Sequence, residues 1–471
     1  MTRAIARLGG AVATAALALG HPAFAAPAAA PSPVSDMAAM QQELKALRAE
    51  YDAKISDLET RLRAAEDKVA GAQTPPPPAA AAPTATAQAD VAPGEVVIAE
   101  AAPEPVAKTA SANAMNPGVS VVLNGNYVAM SGDPAATRIL GYPLSDDARL
   151  KSRGFSLDES EVTLAANVDP FLTASLTASF SGNDQVSIEE AFIQTTALPA
   201  GLTLKAGRFF SAIGYLNERH AHNWSFIDMP LPYRALLGKQ YGDDGVQLRW
   251  LAPAPFFLEF GGEAYRGDHF PAGGADKNRA GTETAFVHTG GDINTDSSWL
   301  AALSYIHTEA HARVTDPIPS GPSDTFSGST DLGIASLVYK WAPGGNPTER
   351  NLTLSGEYFF GRQDGTFDGV RANRDQSGWY AQGVYQFTKG WSAGLRYAAL
   401  DKAGAPPLLA GSSLDGLGHS PRAVSGLLEY DTSEFGRFRL ELTHDTSDQR
   451  SNDEAMLQYT IVYGPHGAHR Y

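Results

Sequence analysis

The densest run of chemically capable side chains in this sequence is Glu218-Arg219-His220-Ala221-His222, followed at short intervals by Asp228, Arg234 and Lys239. Two imidazoles one residue apart, with carboxylates nearby, are donor types that suit zinc or copper. The same run alternates acids and bases. Placed across a narrow opening, Glu218, Arg219, Asp228, Arg234 and Lys239 would set a transverse field that orders water and sorts solutes by charge and dipole. The plain alternative is an outward, solvated loop whose histidines are polar surface. Hydrolytic chemistry has little footing, because the sequence holds neither a G-x-S-x-G elbow nor an H-E-x-x-H pair. No enzymatic activity is expected, and no cofactor beyond zinc at His220 and His222.

What such a run can do depends on the elements that hold it. From Asn116 to Tyr471 the chain is a succession of segments of about ten residues with period-two alternation. Phe438, Leu440 and Leu442 fall on one face of such a segment, against Arg437, Arg439, Glu441 and Thr443 on the other. The same split recurs at Leu354, Tyr358 and Phe360 against Thr353, Ser355 and Glu357, and at Leu457, Tyr459 and Ile461 against Gln458 and Thr460. A soluble β-sandwich alternates too. Here, however, the apolar face is aromatic at its ends, with Trp250, Trp341, Trp379, Trp391, Tyr385, Phe387 and Tyr397, as expected where rings sit at headgroup level. The fold expected is all-β, an antiparallel transmembrane barrel of about 16 strands.

Strands are expected near 119–129, 155–168, 171–180, 186–197, 202–209, 243–251, 256–266, 282–291, 298–309, 330–342, 350–361, 376–387, 391–401, 422–431, 435–445 and 454–464. The connections alternate between tight turns and longer loops at 130–154, 210–242, 267–281, 310–329, 362–375 and 402–421. Two connections break the rhythm, 181–185 being short and 343–349 long. Alternation of side chains then places Lys205, Arg249, Lys340, Arg396, Arg437, Arg439, Glu259, Glu263, Glu357, Glu429 and Glu441 toward the lumen.

The remaining segments suit a secreted chain. Arg3 and Arg7, an apolar stretch from Ala11 to Leu19 and Ala23-Phe24-Ala25 read as a signal peptide over residues 1–25. Residues 36–69 carry Met37, Met40, Leu44, Leu47, Tyr51, Ile55, Leu58 and Leu62 at spacings of three and four, which predicts a periplasmic coiled coil or a lone amphipathic helix. Residues 70–115 are an alanine- and proline-rich linker with no core-forming composition. As a flexible coil it would span roughly 35–40 Å. The 471 residues include no cysteine, and the formal net charge is −16. That acidity disfavours nucleic acid as a partner. The partners expected are outer-membrane lipid, further copies of the chain in a homotrimer, the barrel-assembly machinery reading the terminal Tyr471, and peptidoglycan for the N-terminal segment in the periplasm.

A sixteen-stranded barrel with an N-terminal coiled coil resembles the phosphate-selective porin family, and the segment Leu202 to Gly214, LTLKAGRFFSAIG, looks like that family's strand and loop entry. The resemblance implies a trimeric channel whose loop after the fifth strand, Phe210 to Gly242, folds inward as the constriction. The charge departs from the family: from Asn116 onward there are 27 Lys and Arg against 40 Asp and Glu, a net of −13. Anion channels depend on basic lumens, so the expectation here is a cation or neutral preference. The stretch Phe209 to Trp250 also looks like outer-membrane proteins labelled zinc-regulated or TonB-dependent receptors, although the chain has no room for their plug domain. Three functions are therefore carried forward: a passive porin-like channel for small hydrophilic solutes, a zinc-capturing receptor-like barrel, and a barrel that tethers the outer membrane to the cell wall.

Overall fold

The computed structural model describes residues 117–182, 185–196, 198–274, 278–315 and 323–464. The expected signal peptide, coiled coil and linker, and the terminal Tyr471, lie outside these residues. Within them the chain forms one antiparallel sheet that closes on itself, because β1 (Gly118–Met130) pairs with β17 (Asn452–Tyr463) on one side and with β2 (Gly154–Leu157) and β3 (Ser160–Asn167) on the other. Segments β2 and β3 run along the same partner and are interrupted only at Asp158 and Glu159. The closed sheet thus has sixteen staves, as the alternation predicts.

The other staves follow in chain order. They are β4 (Leu172–Phe180), β5 (Val186–Thr195), β6 (Leu202–Phe210), β7 (Gly242–Leu251), β8 (Phe257–Tyr265), β9 (Thr282–Asn294), β10 (Ser297–Thr315) and β11 (Asp324–Trp341). β12 (Asn351–Phe367), β13 (Val370–Thr388), β14 (Trp391–Leu400), β15 (Arg422–Ser433) and β16 (Gly436–Asp445) complete the circuit. A closed barrel leaves no sheet edge unpaired, which is what a strand needs in order to cross hydrocarbon.

The apolar faces point outward. Leu354, Tyr358, Phe360, Leu395, Leu428, Phe438, Leu440, Leu442, Leu457 and Ile461 are all exposed, while their inward neighbours Ser355, Glu357, Arg396, Arg439, Glu441 and Gln458 are buried. Aromatic side chains collect in two belts. The lower one includes Trp250 stacked on Phe260, Trp391 against Tyr430 and Phe438 stacked on Tyr459. The upper one includes Tyr127 against Phe155, Tyr358 stacked on Phe360 and Trp379 against Tyr397. An apolar band between two aromatic girdles is how a barrel meets a bilayer.

Two expected loops prove to be strand. Residues 362–367 extend β12 and 370–375 extend β13, leaving only Asp368 and Gly369 as the turn, and β10 and β11 likewise take up most of 310–329. The polar composition of these stretches reads as loop, but the cross-strand ladder continues past the aromatic belt, where both faces can be polar. Phe326 and Phe367 keep an inward apolar face there and pack with Leu409 and Leu414 of the 401–421 connection.

Candidate constriction site

The connection after β6 does not leave the barrel. Residues 211–241 turn inward and bury Ile213, Leu216, Trp224, Met229, Leu231, Tyr233, Leu237 and Tyr241 against Phe209, Ile334, Phe359 and Tyr380 of the inner wall. A short helix, α1 (Leu231–Leu237), lies within this segment and closes on Gly238 in the left-handed conformation, with φ 69°. The loop after β1 folds in as well: Ile139, Tyr142 and Leu144 join the same cluster, Tyr142 Oη donates to the Asp401 carbonyl at 2.8 Å, and Arg374 donates to the Gly141 carbonyl at 2.5 Å. The wide aqueous lumen expected of sixteen strands is therefore occupied by chain, held by an apolar cluster.

Wall carboxylates hold the loop backbone. Glu263 of β8 accepts from the Ala212 N–H at 3.0 Å and from Ser211 Oγ, and Glu441 of β16 accepts from the Ile227 N–H at 2.7 Å. Glu357 of β12 accepts from the Tyr215 N–H at 2.7 Å, Tyr233 Oη at 2.8 Å, Tyr380 Oη at 2.6 Å and Ser336 Oγ at 2.6 Å. Wall arginines take the carbonyls: Arg439 donates to Trp224 and Phe226, and Arg437 to His222. β8 and β16 lie eight staves apart in the sixteen-stave circuit, so the loop is tied to opposite sides of the lumen.

These anchors share one level. Glu357 stands six residues from the tight-turn end of β12, Glu263 six from that of β8, Arg396 five from that of β14 and Glu441 five from that of β16. Glu161 is six residues from that end of β3 and Glu190 five from that of β5. At ~3.3 Å per residue this is roughly 17–20 Å along each strand, near mid-depth. Gly214 explains how the backbone reaches Glu357. Its φ is +68°, and a Cβ there would stand 2.5 Å from Tyr233 Oη and 2.7 Å from Glu357 Oε1.

The structure pairs four of the five constriction candidates with groups outside the loop and leaves Arg219 against the loop itself. Glu218 pairs with Lys205 at 3.4 Å and with Arg249, which also faces Glu259 at 3.6 Å. Arg219 lies over the Tyr215 ring at 4.3 Å. Asp228 pairs with Arg396, which binds Glu441 at 2.9 Å, and Arg234 reaches Asp445 at 3.8 Å and the Ala148 carbonyl at 3.1 Å. Lys239 pairs with Glu159 at 2.5 Å. Lys205, Arg249, Glu259, Glu263, Glu357, Arg396, Arg437, Arg439 and Glu441 are all buried inside the barrel, while Lys340 and Glu429 are half-buried. Burial opposes the charge on Asp228, yet Arg396 and then Arg234 hold its pKa below the ordinary carboxylate range. Burial alone would depress Lys239, but Glu159 raises it.

Among the described residues Arg396 is the cation that pairs with both Asp228 and Glu441. The substitution Arg396→Gln is expected to lower stability at neutral pH by about 3–5 kcal/mol, the penalty for leaving buried charges without their partner. The denaturation midpoint of the detergent-folded barrel measures it, and an unchanged midpoint would show that the triad carries no weight.

His220 and His222 are brought together, their rings stacked with centroids 5.8 Å apart. Three carboxylates that sequence reasoning missed surround them: Glu161 of β3 and Glu189 and Glu190 of β5. Strict alternation would send one of two consecutive glutamates outward. A register shift against β4, where Thr177 faces Glu190 and Ala178 faces Ile188, leaves Glu189 as an extra residue, and both carboxylates reach the lumen side. Burial works against protonation of His220, but Glu161, Glu189 and Glu190 raise its pKa well above the usual imidazole value. Among the other described histidines, His307 pairs with Asp331 at 2.8 Å, His444 with Asp453 at 2.6 Å, His288 with Glu259 at 3.3 Å and His269 with Asp243 at 3.4 Å.

No family model matches the chain. An uncharacterized protein of Aquifex aeolicus strain VF5 is 29% identical over 388 residues, covering 76% of this chain and 81% of that protein. Among solved structures the chain is similar to the anion-selective porin from Comamonas acidovorans, at 9% identity and a TM-score of 0.48, over 74% of this chain and 99% of that one. It is also similar to the outer membrane channel DcaP of Acinetobacter baumannii, at 12% identity and a TM-score of 0.48, over 74% and 96%. The loop L8 deletion mutant of OmpT from Vibrio cholerae stands at 11% identity and a TM-score of 0.48, over 74% and 99%.

Proposed function

We propose that this chain is an outer-membrane channel through which small hydrophilic solutes diffuse passively, with a preference for cations or neutral solutes, assembled as a homotrimer. The observation that supports it best is the mid-depth level at which residues 211–241 cross the lumen between walls bearing Glu161, Glu190, Glu263, Glu357 and Glu441, with Arg396 among them and Arg439 and Arg437 two and four residues below Glu441 on β16. Charge at a narrowing acts where the dielectric is low and the field is focused, so an acidic level there favours cations over anions. The mechanism needs no energy input. On this reading the separation of loop from wall sets the size limit, and the glutamates set the preference.

The test is single-channel recording in a planar bilayer under a salt gradient. Stepwise openings in threes with a reversal potential toward the cation equilibrium value are expected. A reversal potential of the opposite sign would overturn the selectivity, and no conductance from correctly folded protein would overturn the channel.

A further inference from the structure

We infer that Glu161, Glu189 and His220 form a binding site for a divalent cation of the zinc class that bridges the lumen loop to β3 and β5. Oxygens of the two carboxylates and a ring nitrogen of His220 lie within 4.8 Å of one another. His220 Nδ1 stands 3.2 Å from Glu161 Oε2 and 3.2 Å from Glu189 Oε2. One N–H cannot be directed at both. A zinc ion with bonds of about 2.0–2.2 Å to imidazole nitrogen and carboxylate oxygen sets tetrahedral neighbours about 3.4 Å apart, close to these separations. Rotation of one carboxylate closes the remaining distance.

Two further observations point to a ligand. Glu161 is 2% exposed, and its Oε2 meets no hydrogen-bond geometry among the described residues, the His220 ring at 3.2 Å being its ion-pair neighbour, so a buried anionic oxygen is directed into the cluster. The far nitrogen of His220, Nε2, lies 3.0 Å from Glu190 Oε2. When a metal ion displaces the Nδ1 proton, donation from Nε2–H to Glu190 leaves the Nδ1 lone pair facing Glu161 and Glu189. This is the carboxylate–histidine–metal arrangement that fixes the tautomer of a ligating imidazole. Glu161 is oriented in turn, because its Oε1 lies 3.0 Å from His222 Nδ1.

Charge balance agrees. Three carboxylates around two imidazoles keep a net negative charge even with both rings protonated, and the neighbouring Lys205 and Lys239 are paired with Glu218 and Glu159. The side chains of Glu189 and His220 are 13% and 15% exposed against 1% for Glu161. The open coordination position therefore faces the lumen, where water or a passing ligand would complete the shell. A nitrogen donor among two carboxylates favours zinc over calcium, which takes oxygen ligands. His222, an expected ligand, instead positions Glu161.

Binding itself does not depend on the channel reading, so it is measured without conductance. Full-length protein in detergent, stripped with chelator, is titrated with zinc chloride by calorimetry, with calcium chloride as comparison, and its thermal midpoint is followed as zinc is added. Saturable binding of one zinc per chain, absent for calcium and raising the midpoint, is expected. Glu189→Gln and His220→Asn should abolish it, and Glu190→Gln should weaken it by about 10–100-fold, as for a group that orients a ligand. Circular dichroism of each variant separates a lost site from a lost fold. A chain with His466→Ala and His469→Ala should bind as the parent does. Binding that survives His220→Asn, that disappears with His466 and His469, or that is absent from the folded parent would overturn the site.

Discussion

Replacing residues 215–237 by a short glycine-serine link is expected to raise single-channel conductance several-fold. The staves should remain paired. Their ladder hydrogen bonds run between neighbouring strands and do not pass through the loop, whereas the loop ties β8 to the opposite β16 across the lumen. Sixteen staves leave an aqueous channel where no segment fills it, and the excision removes one of the two inserted segments, the loop after β1 remaining. In that wider lumen the wall glutamates would act over more than the ~8–10 Å at which salt screens charge, so the cation preference should fall as the conductance rises. Planar-bilayer recording of parent and excised chain measures both quantities. Equal conductance would show that the segment from Tyr215 to Leu237 is not the narrowing.

Glu357→Ala is expected to release the loop from one wall without shortening it. Four donors converge on this carboxylate, from Tyr215, Tyr233, Tyr380 and Ser336, and Tyr233 is fully buried. A buried donor left without an acceptor costs about 1–3 kcal/mol. Three of the four are hydroxyls that can rotate toward admitted water, so the loss should fall near the lower end, about 4 kcal/mol in all. The Glu357→Gln variant keeps the volume and one acceptor oxygen and should lose less than half as much. Thermal unfolding in detergent would rank the three chains, and recording should show wider or noisier openings for Glu357→Ala. Equal stability of the alanine and glutamine variants would mean that the carboxylate fills space and does not hold the loop. Burial and the adjoining Glu357 also raise the Tyr233 pKa well above the ordinary phenol value, so the hydroxyl stays a donor throughout the accessible pH range.

The barrel was legible because period-two alternation is a local property. Phe438, Leu440 and Leu442 lie on the lipid side, and Arg437, Arg439 and Glu441 on the other, by the geometry of a single strand. The strand count followed from the rhythm of turns for the same reason. Loop lengths were less legible: residues 362–375 carry loop-like composition, yet a hairpin beyond the membrane can be polar on both faces. The inward loop was expected from a family resemblance, and its candidate residues Glu218, Asp228, Arg234 and Lys239 do lie inside the barrel, but their partners are far away in sequence.

Sequence alone thus determined the class of fold, the membrane-facing surface and the segment that had to carry chemistry, since each depends on residues close along the chain. Tertiary structure decided which groups that segment meets. Closing the sheet brings Glu161, Glu189 and Glu190 around His220, and a one-residue shift in the β4–β5 register turns Glu189 inward against the alternation. Closure also sets Glu357 beneath Tyr233, 124 residues away. Ring closure and register are properties of strand pairs, and no single segment of the chain encodes them.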